Sequence, residues 1–137
     1  MGPGARQAFL ESWHDIVRRR DTAAIGALLE ADVTIGTPPY WQRLEGHALV
    51  HFLLGVILET IEDFTYHREY ATGGELALEF TGHVGGIELQ GIDLITLSEH
   101  GKVARLDVLI RPANAVEALR ERVGPRMEAW LAEHAAS

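Results

Sequence analysis

The sequence predicts an α+β domain, and three observations carry that expectation. Helical patterns lead, a short strand and a further helix follow, and then four strand-like segments run in succession before a helical tail. Glycine turns at Gly73-Gly74, Gly85-Gly86 and His100-Gly101 separate those four segments, which reads as an antiparallel meander. With 47% hydrophobic and 23% charged residues over 137 positions, the chain can bury one substantial core. Helices segregated to one side of an antiparallel meander define the α+β class.

Residues 5–20 place Phe9, Leu10, Trp13, Ile16 and Val17 at helical spacing, with polar residues elsewhere. Asp21 and Thr22 then offer an N-cap to a second short helix carrying Ile25, Leu28 and Leu29. Val33, Thr34 and Ile35 read as a short strand that Pro38-Pro39 ends. The following loop holds two large aromatics, Tyr40 and Trp41. A helix over His47–Ile61 is apolar except for a stripe of His47, His51, Gly55, Glu59 and Glu62. Phe64, Tyr66 and Tyr70 share one face of the first meander strand. Leu76, Leu78, Phe80, Gly82 and Val84 share one face of the second, over Glu75–Val84. The last strand sets Leu106, Val108 and Ile110 against Arg105, Asp107, Leu109 and Arg111, and Pro112 stops it. Two closing helices are expected, Ala113–Val123 and Pro125–Ala135, the second anchored by Met127, Trp130 and Leu131.

Composition removes several function classes. Twelve Lys and Arg against twenty Asp and Glu give a net charge of −8, which argues against a nucleic-acid backbone as partner. The one basic run, Arg18-Arg19-Arg20, has Asp15 and Asp21 beside it and suits the negative end of a helix. No cysteine is present, so thiolate chemistry and disulfides are excluded. No apolar stretch is long enough for a membrane span, and no secretory leader pattern stands at the N-terminus. A cytoplasmic enzyme or small-ligand binder is the default expectation.

Asp93 is the anomaly in the third meander strand, Ile87–Leu97. It shares a face with Ile87, Leu89, Gly91, Ile95 and Leu97, and it is the only charge in that row. A carboxylate in such a row sits in a wet cavity, finds a partner, or holds a proton. It is therefore either a pocket acid or base, or a structural acid satisfied by Trp13 N–H or backbone. Asp107 shares a face with two arginines and reads as an outer-face ion-pair member, with a catalytic role as the lesser alternative. His47 and His51 have metal-ligand spacing, but no third ligand is evident and a solvated stripe is the better reading. His14 could reach the rim of a cavity. Tyr40 and Trp41 read equally as ligand wall and as a plug of the core. No metal site and no cofactor are expected, and the glycine pairs are hairpin turns, not phosphate loops.

Trp13-His14-Asp15-Ile16-Val17, Ala31-Asp32-Val33-Thr34-Ile35, Gly46 at the head of the third helix, and GIDLITLSEHGKVARLDVLIRP resemble the nuclear transport factor 2-like superfamily, in its SnoaL-like and ketosteroid-isomerase-like branch. The resemblance spans roughly residues 8–112, leaving 113–137 as a helical tail on a single domain of 1–137. It implies a cystatin-like cone: a strongly curved antiparallel sheet wrapped around a deep apolar pocket, closed by the N-terminal helices. It also implies a homodimer through the outer sheet face.

Matched by position, Asp93 falls where ketosteroid isomerases carry the oxyanion-hole aspartic acid, which its apolar site keeps protonated. The family's tyrosine position carries Trp13, which donates one N–H but exchanges no proton. Its general-base position carries Thr37. Against the limonene-epoxide-hydrolase pattern, Asp93 matches one acid, Gly91 replaces the arginine, and Asp107 is one residue out of register with the second acid. Polyketide cyclases of the group use an aspartate and a histidine, and no histidine shares the face of Asp93. The resemblance thus implies a pocket lined by Trp13, Thr37, Tyr40, Trp41, Leu53, Leu76, Leu78, Phe80, Leu106, Val108 and Ile110, with Asp93 as its polar feature. A hydrophobic small molecule is the expected ligand. The expected activity is an isomerase, cyclase or epoxide-hydrolase-like enzyme using Asp93; a non-catalytic binding or dimerisation module of the same fold is the alternative.

Overall fold

The computed structural model describes residues 2–135. Helix α1 (Pro3–Arg19) starts with proline in its first turn, where a missing N–H costs nothing. It turns its stripe of Phe9, Leu10, Trp13 and Ile16 into the core. Its end is fixed by Arg20, which takes a left-handed conformation and bonds back to Ile16 and Val17. Arg18 and Arg19 pair with Asp15 on the surface, whereas Arg20 donates to the carbonyls of Leu58 and Ile61 at 2.7 and 3.2 Å. The basic run is therefore split: two arginines are solvated, and the third caps the end of helix α2 (His47–Thr60).

Between them lie a 3-10 helix, Thr22–Leu28, strand β1 (Leu29–Gly36) and the two-residue β2 (Leu44–Glu45). The Asp21 side chain makes no cap bond to that 3-10 helix. It is held instead from α2, because His47 Nε2 reaches the Gly26 carbonyl at 2.7 Å and His51 Nε2 the Thr22 carbonyl at 2.9 Å. Of the stripe expected to be solvated, His47 and His51 are thus half-buried and satisfy backbone carbonyls of a short helix, while Glu59 and Glu62 are exposed.

The meander is β3 (Glu62–Thr72), β4 (Glu75–Val84), β5 (Ile87–Leu97) and β6 (Val103–Arg111). The six-stranded sheet has the order β2-β1-β6-β5-β4-β3, with β1 parallel to β6 and the other pairs antiparallel. Its inner face carries Leu76, Leu78, Phe80 and Val84 of β4, Leu89, Asp93, Ile95 and Leu97 of β5, and Leu106 and Val108 of β6. Helices α1 and α2 cover that face.

Register shifts bend the edge of the sheet. Tyr66 opposes Phe80 but Glu69 opposes Leu78, so β3 holds one extra residue and changes face there. Phe64 and Tyr66 point inward, while Tyr70 lies outside at 62% exposure, contrary to a strict alternation. Gly91 lies opposite Phe80. A Cβ at Gly91 would meet the Phe80 ring and stand 2.6 Å from the Leu109 carbonyl, so glycine lets the Phe80 ring lie against β5 on the concave face.

The tail forms one helix, α3 (Ala113–His134), not two, and it runs through Pro125. Proline removes one backbone bond and crowds the preceding turn. Here Ala115, Ala118 and Leu119 before it and Met127 after it are all buried in the same core, and that packing offsets the local loss. Among the described residues no helix is long and apolar enough to cross a membrane.

Candidate functional site

Asp93 is the one charged side chain in the core among the described residues, at 6% exposure. It projects from the middle of β5 between Gly91 and Ile95 on the concave face. Across the intervening β4, Tyr66 of β3 donates its hydroxyl to Asp93 Oδ2 at 2.6 Å. Trp13 of α1 donates its indole N–H to the Tyr66 oxygen at 2.9 Å. The three side chains form a directed relay, Trp13 to Tyr66 to Asp93, from the first helix to the centre of the sheet.

The other carboxyl oxygen, Oδ1, has no protein donor among the described residues, yet it is not sealed off. Asp93 lines a cavity of about 40 Å³ with Trp13, Ile16, Leu54, Phe64, Tyr66, Phe80 and Val108, toward which its free oxygen is open. Such a void has room for a few waters. Burial pushes the Asp93 carboxyl up from 3.8 to about 7, and the bond from Tyr66 pulls in the opposite direction. Burial first, then the charge of Asp93, drives the Tyr66 phenol well above 10.0, so it stays a neutral donor. The outcome is a carboxyl that exchanges its proton near neutral pH, oriented through one oxygen and accessible at the other.

The sequence placed Trp13, Phe80 and Val108 around Asp93, and all three line this cavity. It also offered Trp13 N–H as the direct partner of Asp93; the N–H is taken instead by Tyr66, a residue given no role. Thr37, Tyr40 and Leu53 line a second void of about 20 Å³ beneath α3, which also touches Val108. Thr37 is therefore not in the chamber of Asp93. Leu78 and Leu106 are fully buried and border neither void, and Ile110 is half-buried and borders neither. Trp41 is 99% exposed and forms no wall, because its short loop turns the indole away from the body. Asp107 points out of the opposite face of the sheet. There Arg43 bonds it together with Thr34 and the Leu106 carbonyl, and Arg105 approaches at 3.1 Å. Asp107 and Asp93 share no cavity, so a two-aspartate arrangement is not formed. His14 lies at the rim, edge-on to Tyr66 and 2.7 Å from Glu69.

The SnoaL-like domain model matches residues 10–106. No curated protein matches the chain by sequence. Among solved structures, a steroid delta-isomerase from Pseudomonas aeruginosa is 35% identical, with a TM-score of 0.87 over 93% of this chain and 95% of that one. A protein with a cystatin-like fold, uncharacterised and conserved in bacteria, from Silicibacter pomeroyi DSS-3 is 32% identical, with a TM-score of 0.86 over 93% and 92%. An NTF2-like protein of unknown function from Mesorhizobium loti shares the fold at 15% identity and a TM-score of 0.70, over 80% and 93% of the two chains. The curved, unclosed sheet with its helices on the concave side agrees with these neighbours. On the match over residues 10–106, the chain belongs to the SnoaL-like domain family.

Proposed function

We propose that this chain is a cofactor-free, isomerase-type enzyme in which Asp93 moves a proton on a small, mainly apolar carbonyl compound. The observation that carries this reading is the divided state of the carboxyl. Oδ2 is held by Tyr66 while Oδ1 faces an apolar chamber, with the proton exchanged near pH 7. A single carboxylate suffices for an allylic shift. Oδ1 takes a proton from the carbon between a carbonyl and a double bond, the electrons move toward the carbonyl oxygen, and the same proton is returned to the far carbon. Atoms and charge balance without a cofactor. The similarity to a steroid delta-isomerase supports this reaction class. The cavity of about 40 Å³ lies far below the roughly 300–1,000 Å³ of ordinary ligand sites, so the chamber has to widen even for a single ring, and a substrate much smaller than a steroid is favoured. The chamber offers no second donor to a developing oxyanion, so an acceleration on the order of 10²–10⁴ is expected.

The test is isomerisation of 3-cyclohexenone to 2-cyclohexenone, followed by proton NMR. Wild type should turn it over, with kcat/KM rising with pH through about 7 as Asp93 becomes the base. Asp93→Asn should lose the activity; equal rates in the two proteins overturn the reading. Saturable binding without turnover in wild type would instead favour a non-catalytic ligand-binding module. That second reading draws on the lack of another acid–base group beside Tyr66 in the chamber.

The proposal includes a homodimer through the outer sheet face. Tyr70, Ile92, Leu94 and Leu109 are 62%, 38%, 41% and 52% exposed there, an apolar patch with ion pairs such as Arg68–Glu79 beside it. Sedimentation of wild type should give a dimer at micromolar concentration and Leu109→Arg a monomer. A monomeric wild type removes this part.

A further inference from the structure

Two apolar voids lie end to end in the cone. One holds Asp93 Oδ1; the other lies under α3, between Leu119, Val123 and Met127 on one side and Thr37 and Tyr40 on the other. They have two walls in common, Ile57 of α2 and Val108 of β6. Both side chains are buried, at 8% and 4% exposure, and both are aliphatic, so the barrier is one of volume alone. No hydrogen bond or ion pair has to be broken to remove it.

We infer that Ile57 sets the length of the molecule this protein binds, by dividing a latent channel that runs from Asp93 to Thr37. The inference rests on the reading of Asp93 as the ligand-facing group and adds which residue limits what reaches it. At about 40 and 20 Å³ the separate voids hold a few waters between them. Truncating Ile57 to alanine removes three buried carbons from between the voids, and an apolar cavity on the order of 150 Å³ is enough for a benzene ring. Placed between the two voids, that space joins them into one chamber with an acid at one end and a hydroxyl at the other. The far end is roofed by α3, which the sequence places beyond the four-stranded meander, so the ligand's distal part would meet Leu119 and Met127. Ile57→Ala should therefore convert a site for a single small ring into a site for a fused bicycle. The polar end of the ligand should stay at Asp93.

The experiment follows methyl resonances of wild type and Ile57→Ala with 2-decalone and, separately, under xenon. In the variant, Leu54 and Leu58 on the Asp93 side and Leu119 and Val123 on the α3 side should respond to decalone along one isotherm. Affinity should be about tenfold or more above wild type, since each added buried methylene favours binding several-fold. Two distinct isotherms, or an affinity that Ile57→Ala leaves unchanged, overturn the inference. Val108→Ala removes the other shared wall and must give the same result, which keeps the test decisive if the first variant does not fold. Adding Asp93→Asn to Ile57→Ala separates this inference from the functional reading. Xenon touches no polar group and should still report one joined chamber, while decalone should weaken. If decalone binds equally well without the acid, the role given to Asp93 fails and the channel stands.

Discussion

The carboxyl of Asp93 gives the folded protein a pH dependence that can be isolated by replacing it with asparagine. In the unfolded chain this acid titrates near 3.8, whereas burial moves it to about 7 in the fold. Below about pH 4 the group carries its proton in both states, and its contribution does not vary. Between about 4 and 7 the folded chain retains a proton that the unfolded chain releases, so stability falls as pH rises. Above about 7 both states are ionised and the loss is complete. A separation of about three pH units at 1.36 kcal/mol per unit amounts to about 4 kcal/mol. The assay is urea unfolding at a series of pH values from 4 to 8, in wild type and Asp93→Asn. The amide does not titrate, so the difference between the proteins isolates this group; the Arg68–Glu79 pair, which weakens as pH falls toward about 2, is common to both and cancels. Wild type should lose about 4 kcal/mol relative to the variant over that range, or about 2 M in urea midpoint. A difference that stays flat with pH would refute the claim that Asp93 is buried as an acid.

Tyr66→Phe removes the donor to Asp93 Oδ2 and the acceptor of Trp13 N–H together, so stability should fall by about 1–3 kcal/mol in urea unfolding. The same change should raise the Asp93 pKa above about 7 in a carboxyl carbon NMR titration, because the lost bond favoured the ionised form. Gly91→Ala places a methyl against the Phe80 ring and 2.6 Å from the Leu109 carbonyl, neither of which can retreat freely. It should cost about 3 kcal/mol, read as a drop of about 10 °C in thermal unfolding.

The strands nearest the site were legible because paired glycines mark both ends of β4, and clean alternation fixes its face and that of β5. The same alternation isolated Asp93 as a lone charge among apolar neighbours. What stayed hidden depends on register. Tyr66 and Asp93 lie on strands that are not neighbours: β4 stands between them, two strand spacings or roughly 10 Å of backbone. The phenol bridges that span because the sheet curves, with the Phe80 ring seated in the space that Gly91 leaves beside it. The bulge that turns Tyr70 outward lies between Tyr66 and Glu69, in a stretch where no glycine or proline announces it. Pro125 read as a break because local propensity said so; the buried residues on both sides of it decided otherwise.

An acid retained only to hold the core together would be expected to spend both oxygens on donors. Asp93 uses one. Its Oδ2 ends a chain of donors that begins on α1, and that chain fixes the plane of the carboxyl and the direction of the free oxygen. The free oxygen has no donor of its own beside a mainly apolar void, where burial disfavours ionisation more than the Tyr66 bond restores it. Replacing Asp93 and Tyr66 together by apolar residues of similar size would remove this penalty without leaving a buried hydroxyl unpaired. Sites where a chain keeps such a local conflict, with the geometry around it firmly set, are where function is expected. Trp13 and Tyr66 are therefore best understood as positioning residues that aim one oxygen, and the size of the chamber it faces, bounded by Ile57 and Val108, decides what can meet it.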